Sequence, residues 1–435
     1  MKNKKIIIIG AGFSGLSIAY ELTKLNYDVS IFDESKEIGG LAGSFDVGQY
    51  SLEKFYHHWF TSDIAIMELI KELNLENNIK FNNSKTGLYF ANNFYKLSKP
   101  TDLLNFKPLN IIDRFRFGIM VLRARSIKDW KQLENKTAKE WLCELGGKQV
   151  YKIIWEPLLK GKFGVYAEKI SAVWFWNKLK LRGGSRNNKG EEKLAYFKGG
   201  FSILTNEIKK QIEDKGGKFY LSEKVIKVDK SSKEWSVITN KKTYIASDII
   251  LTTAPNLASQ ILGDVVSKSY KNSLNKIKFL GNICLVLELT QSLSDTYWLN
   301  VNDPSFPFVG IIEHTNFESP ENYGGRHIVY LSKYLTHEDK LFLMNSDEVL
   351  NFALPHILKM FPKFNLQWIK KHYLWKEKWA QPVVTKNYSK IIPSEKGPLK
   401  GLYLCTMAQV YPEDRGTNYS IRNGKKFVKT YFDKG

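Results

Sequence analysis

Cysteine is scarce in this 435-residue chain, and long apolar runs are missing from it. The three cysteines, Cys143, Cys284 and Cys405, are odd in number and never spaced as Cys-x-x-Cys. That excludes a disulfide framework, a thiolate metal site and a dithiol redox motif, and it predicts a reducing compartment. No stretch of about eighteen apolar residues occurs, so no membrane-spanning helix is expected. The first apolar run, Lys5 to Ile9, is broken by Gly10 too soon for a signal peptide. Repeats, low-complexity linkers and recognised nucleic-acid modules are also absent. The expectation is a cytoplasmic protein that binds no nucleic acid, in spite of a formal net charge of +21. The basic residues are dispersed, as biased codon usage would leave them; an anionic substrate and an anionic membrane surface are the other readings. With 43% hydrophobic and 14% aromatic residues, a chain of this length can fill two or three cores.

The N-terminal segment is a strand-turn-helix with special glycines. Lys5 to Ile9 enters Gly10-Ala11-Gly12-Phe13-Ser14-Gly15, and a helix is predicted from Ser14 to about Leu25. Gly10 allows the tight turn, Gly12 lets backbone approach a pyrophosphate, and Gly15 lets helix pack on sheet. The helix N terminus adds free N–H groups and positive dipole at Phe13 and Ser14. A second strand-like segment ends at Asp33, with Glu34 beside it, at the spacing of a carboxylate that grips a ribose hydroxyl. A bound dinucleotide is expected.

A second cluster, Gly39-Gly40-Leu41-Ala42, follows this acid. With it the chain resembles the flavin superfamily of amine oxidases, protoporphyrinogen oxidases and phytoene desaturases, with UDP-galactopyranose mutase as a more distant relative. Amine oxidases usually carry Arg where this chain has Leu41, which argues against amine oxidation proper. The resemblance continues through Phe197 to Leu221, through Val225 on the cofactor's adenine side, through Ala246 to Pro255, and through Gly401 to Thr406. It ends with Asp414, Arg415, Gly416, Asn418, Tyr419 and Ser420 and a helix from near Ser420 to Tyr431. The resemblance implies FAD as cofactor and an α/β fold, in which a Rossmann-type FAD-binding domain is interleaved with a substrate domain of mixed antiparallel sheet plus helices. The expected boundaries are 1–95, 196–258 and 385–435 for the FAD domain, 96–195 for a mainly helical segment and 259–384 for the substrate domain.

His57 and His58 come shortly after the glycine pair. On an extended strand at most one of them faces the ring system, and it could orient substrate or accept a proton; structural hydrogen bonding is the alternative. Lys160 and Lys162 lie in a predicted Gly-punctuated turn, either clamping a phosphate or simply solvated. Glu313, His314 and Asn316 emerge from an apolar strand as a second substrate-contact cluster, with Glu313 and His314 as further catalytic candidates. Tyr388 and Arg415 are pocket candidates as well. Leu103 to Trp130, apolar with interspersed arginines, reads either as a peripheral docking element on the inner face of an anionic membrane or as a core helix with snorkelling arginines. The functional expectation is FAD-dependent removal of hydride from a carbon of an organic substrate, prenyl-lipid or tetrapyrrole-like, to flavin N5. The alternatives are a flavin-dependent nucleotide-sugar mutase and a flavin-binding scaffold without turnover.

Overall fold

Five short apolar segments far apart in sequence form one parallel sheet in the computed structural model, which describes residues 4–96, 100–184 and 193–433. Its spatial order is Lys218–Tyr220, Asp28–Phe32, Lys5–Ile9, Asp248–Leu251 and Leu402–Leu404. The central strand is apolar on both faces because both are covered, as parallel sheets require; Ile6, Ile7 and Ile8 are fully buried. The helix after it, Phe13–Lys24, lies between the helices Phe201–Asp214 and Thr417–Tyr431. That last helix starts at Thr417, three residues before the expected Ser420. It approaches its neighbour closely: the Ser17 hydroxyl donates to the Ile421 carbonyl at 3.1 Å beside Gly424.

The second layer is a seven-stranded sheet ordered Ile369–Pro382, Phe279–Leu289, His327–Leu335, Gly310–Glu313, Trp298–Val301, Thr86–Phe90 and Asn93–Lys96. Every pairing is antiparallel except that of Trp298–Val301 with Thr86–Phe90. Residues 86–96, allotted from the sequence almost entirely to the cofactor half, therefore pair into the large sheet. Phe279–Leu289 is buried along its whole length, and its two faces join different cores. Cys284 and Val286 pack with the nucleotide-binding layer, while Ile283, Leu285, Leu287 and Leu289 pack under the helix Ser346–Met360. The period of two thus puts one strand between two cores.

A helical group forms a third part of the molecule: Ile111–Ser126, Ala138–Gly146, Glu156–Phe163 and Ala172–Gly184. Asn110 caps the first of these by accepting the Asp113 N–H. The segment expected as a Gly-punctuated turn around Lys160 is the Glu156–Phe163 helix. Pro at its first turn suits a helix start, and Gly161 is kept where a side chain would crowd Val309. Among the described residues no helix is long and apolar enough to cross a membrane.

The helix contact at Gly424 gives a direct test. A Cβ there would lie 2.7 Å from the Ser17 hydroxyl oxygen. Gly424→Val should destabilise the protein by roughly 1–3 kcal/mol. The expected observation is a lower urea midpoint at an unchanged denaturant slope.

Candidate cofactor cleft and active site

A cleft opens beyond the carboxyl ends of the parallel strands, the place where such sheets bind ligands. It is lined by Gly10, Gly12, Phe13 and Ser14 from the first turn, by Asp33 and Glu34 from the second, and by Gly39, Gly40, Leu41 and Ala42. Val225, Thr252, Gly416 and Ser420 close it. Gly15 does not line the cleft; it fixes the packing behind it, where a Cβ would sit 2.0 Å from the Gly10 carbonyl oxygen. Gly10 itself has φ +113°, a conformation that favours glycine. Asp33 is oriented from two sides, one oxygen accepting the Ala11 N–H at 2.7 Å and the other the Ser35 N–H at 2.8 Å. Burial raises its pKa against the pull of those two donors.

Two helix N termini meet this cleft, at Phe13 and at Thr417. Neither has a side-chain cap or an acidic residue in its first turn, so both present positive dipole to a ligand. Two lining residues also carry buried polar atoms that find no partner among the described residues, Thr253 Oγ1 and Trp375 Nε1. These features fit a dinucleotide of the FAD type. Gly10 to Ser14 would hold its pyrophosphate, Asp33 and Glu34 its ribose, and Val225 would lie by its adenine. The N terminus of the Thr417–Tyr431 helix would face negative charge on its ring system.

A second, more apolar cavity adjoins the cleft, and the two share Leu41, Phe55, His57, Arg415, Gly416 and Thr417. Its walls are largely aromatic, with Tyr56, Trp59, Trp155, Trp174, Trp298 and Tyr334. His57 belongs to both cavities. Its Nδ1 donates to the Phe55 carbonyl, which leaves Nε2 with a lone pair. Desolvation, with a smaller contribution from the Arg415 charge, pushes its pKa down to about 4. Of the roles expected from the sequence, orienting a substrate by a hydrogen bond suits this neutral imidazole. His58 lines only the second cavity, with its Nδ1 3.0 Å from the Tyr297 hydroxyl.

Lys162, Lys178 and Arg415 reach the second cavity from three separate segments and surround Asp414. Burial alone would raise the Asp414 pKa, but the three positive charges hold it well below the usual carboxylate range. Asp414, Asn418 and Tyr419, expected at the cofactor, line this cavity and not the cleft. Asn418 also accepts the Ile66 N–H at 3.1 Å.

Several expected contacts are not brought to either cavity. Lys160 points to solvent and pairs with Glu156 at 2.9 Å, one helical turn back. Glu313 is buried and fastens a loop, accepting from Ser292 Oγ at 2.6 Å, Leu293 N–H at 3.1 Å and Ser294 N–H at 2.9 Å. Asn316 donates to the Ser294 and Thr296 carbonyls at 2.7 and 3.0 Å. His314 lies buried with Nε2 2.7 Å from the Tyr323 hydroxyl, and fully buried Tyr388 donates to the Ala408 carbonyl at 2.9 Å. Their polar atoms are consumed in holding loops, which is why polar residues beside an apolar strand misled the sequence reading. Lys178, Trp174 and Trp298 went unnoticed in the sequence. Lys178 follows the apolar run Ala172 to Trp176, which reads as an ordinary core helix.

Comparison with known proteins agrees with this geometry. The sequence profile of the flavin containing amine oxidoreductases matches residues 13–413. The chain is similar to coproporphyrinogen III oxidase of Staphylococcus aureus, 24% identical over 58% of this chain and 61% of that protein. It is also similar to a zeta-carotene desaturase of Solanum lycopersicum, 27% identical over 50% of this chain and 40% of that protein. The matched region thus spans less than two thirds of either relative. In fold it is similar to reduced UDP-galactopyranose mutase, at 15% identity and a TM-score of 0.76, covering 98% of this chain and 95% of that one.

The cradle can be tested by filling it. A Cβ at Gly12 would meet only the Gly40 Cα, at 3.8 Å, so the protein itself has room for a side chain there. Gly12→Val should therefore fold normally yet be isolated without FAD, whereas Asp33→Ala should bind FAD more weakly but measurably, since one contact is lost and the phosphate cradle survives. Flavin released by acid and quantified against protein decides both.

Proposed function

The chain belongs to the flavin containing amine oxidoreductase family and its cofactor is FAD; from that premise we propose that it is an oxidoreductase removing hydride from a carbon of an organic substrate with a flat or extended apolar body, prenyl-lipid or tetrapyrrole-like. The observation that carries this reading is the aromatic-walled cavity that meets the cofactor cleft at His57 and Arg415. Bound FAD would supply the hydride acceptor. The protein's own part is to hold the substrate and exclude water: Tyr56, Trp174 and Trp298 supply apolar surface, and His57 Nε2 accepts a hydrogen bond from a substrate N–H or O–H.

Anaerobic mixing of the holoprotein with coproporphyrinogen III or zeta-carotene tests the reading by bleaching of the flavin absorbance. No bleaching, together with turnover of UDP-galactopyranose only after dithionite reduction, would replace the oxidoreductase by the mutase alternative. No reaction in either arm would leave the scaffold. His57→Ala should retain FAD but slow bleaching about tenfold, the loss of one buried hydrogen bond. The wild-type rate should show no histidine limb between pH 6 and 8. The depressed pKa keeps His57 neutral throughout that window, and protonation sets in only as pH falls toward about 4.

The Ile111–Ser126 helix supports a peripheral membrane contact. Ile111, Ile112, Phe115, Ile119 and Leu122 are between 47% and 67% exposed, whereas Met120 and Ala124 face the core. The core-helix alternative would bury those five side chains. Arg114, Arg116, Arg123 and Arg125 flank them, the composition of an interfacial helix on anionic lipid. The protein should float with phosphatidylglycerol vesicles and not with phosphatidylcholine vesicles. The double substitution Ile112→Asp and Phe115→Asp should reduce flotation about tenfold or more.

A further inference from the structure

One face of the seven-stranded sheet forms a wall of the second cavity, and that wall is not apolar throughout. Asn282, Asn300, Gly310, Ser332 and Tyr334 all line it. They share a face because of register: Asn282 stands opposite Tyr334, Ser332 opposite Gly310, and Gly310 opposite Asn300. Gly310 leaves a gap in that row, where a Cβ would meet only the Ile312 side chain at 3.4 Å and the Leu299 carbonyl at 4.0 Å. Asn282 and Ser332 are 3% and 1% exposed. Asn282 Nδ2 donates to Ser332 Oγ at 3.0 Å, and the other side-chain contact of this amide, Oδ1 at 3.4 Å, is with the same hydroxyl. A carboxamide has two N–H donors and two acceptor lone pairs, so half the capacity of Asn282 is unused among the described residues. Asn300, by contrast, accepts from Trp298 Nε1 at 3.0 Å and donates to the Gly87 carbonyl at 3.4 Å. Ser332 also interacts with the Tyr56 hydroxyl, and burial raises the pKa of that phenol well above its ordinary value. Three neutral polar groups thus follow one another along the wall.

A buried amide with unused donor and acceptor sites beside aromatic walls carries a desolvation cost that a polar ligand atom offsets. We propose that Asn282, Ser332 and the Tyr56 hydroxyl form a neutral hydrogen-bonding recess for an uncharged oxygen function of the substrate, a hydroxyl or a carbonyl, so that the substrate is an oxygenated apolar molecule. This rests on the oxidoreductase reading and narrows it. The recess adjoins the joint between the two cavities: Tyr56 directly precedes His57, and Tyr334, opposite Asn282, accepts from Arg415 Nη2 at 2.8 Å. An oxygen held there anchors the substrate near His57 and Arg415, which border the cofactor cleft as well. A plain hydrocarbon leaves the Asn282 amide unsatisfied and is disfavoured.

The experiment uses the FAD-loaded protein and three probes of similar shape: 1-naphthalenemethanol, 1-acetylnaphthalene and 1-ethylnaphthalene. Binding is read by tryptophan quenching and by perturbation of the flavin spectrum. Each affinity is referred to that probe's own transfer from water to cyclohexane, a solvent that makes no hydrogen bonds. On that scale the alcohol or the ketone should bind the wild-type protein about tenfold or more better than the hydrocarbon. Added salt should leave the difference unchanged, because no charge takes part. Whichever oxygenated probe is preferred tells hydroxyl from carbonyl. Asn282→Leu, close to isosteric, should weaken that probe about tenfold and leave ethylnaphthalene binding as tight or tighter. Ser332→Ala, a smaller change in the same recess, should weaken the same probe about threefold or more. Equal binding of all three probes on the cyclohexane scale, no detectable binding of either oxygenated probe up to its solubility, or an unchanged oxygenated-to-hydrocarbon ratio in the variants would overturn the recess. The wild-type comparison stands even if a variant fails to fold. FAD content and substrate-driven bleaching are scored separately, so failure of the oxidoreductase reading is distinguishable from failure of the recess.

Discussion

Backbone crossing backbone without intervening side chains is the constraint on which the remaining structure depends. The turn at Gly10, the helix turn at Gly15 and the pair Gly39-Gly40 occupy a space in which a single Cβ is felt. A Cβ on Gly40 would lie 3.1 Å from the Gly12 Cα, and one on Gly15 would drive into the Gly10 carbonyl. Gly12 and Gly39 are close enough to form an isolated parallel bridge, with the Gly39 N–H donating to the Ala11 carbonyl at 2.9 Å. This contact ties the segment after the second strand to the first turn. It thereby sets where the chain leaves toward Glu53, His57 and the second cavity. A larger residue at Gly40 would not merely crowd a ligand; it would separate the two segments that form the floor of the cleft.

Glu53 carries that placement into the other layers. Its carboxylate accepts the Tyr196 hydroxyl at 2.7 Å and the Phe201 N–H at 2.6 Å, and its carbonyl accepts the Tyr330 hydroxyl at 2.9 Å. One residue therefore joins the strand Lys193–Phe197, the start of the Phe201–Asp214 helix and the large sheet. Burial pushes its pKa up to about 7 against the donors that hold it. The sign follows: relative to an unfolded carboxyl, this site gives up stability as pH rises through that value. His57, four residues further on, inherits its position from this junction.

The cofactor cleft was legible in the sequence because its determinants are local. Gly10 to Gly15, Asp33 and Gly39-Gly40 sit within about forty residues, in a strand-turn-helix-strand order that hydrophobic period and glycine spacing reveal. The substrate side was much less legible because it is assembled from distant segments. Lys162 is read from the sequence as part of a turn, where the structure has a helix; Arg415 is read as a pocket residue and lines both cavities; Lys178 is hidden behind an apolar run. Glu313, His314 and Asn316 illustrate the converse error. Polarity beside an apolar strand signals unmet hydrogen-bonding need as readily as chemistry, and here the need was a loop's. Residues 86–96 were misallotted for a similar reason. Pairing partners more than two hundred residues away, at Trp298–Val301, leave no trace in local pattern.

Arg415 is where the two halves of the molecule become one electrostatic unit. It lowers the pKa of Asp414 on one side and of His57 on the other, while its own donors go to Tyr334 and Gln381. Gln381 in turn donates to Asp414 Oδ1 at 3.3 Å, so the guanidinium, amide and carboxylate form a chain across the cavity wall. A cation in that position favours a neutral imidazole and an ionised carboxylate at the same time. Removing it would take away one of three positive charges at Asp414, which Lys178 still pairs, and relax His57 in part, and a lysine would not reproduce the planar fork that reaches both Tyr334 and Gln381. The cavity's polarity is therefore cooperative. Burial keeps the histidine at the joint neutral and the Arg415 charge adds to that effect, which leaves its lone pair available to a donor.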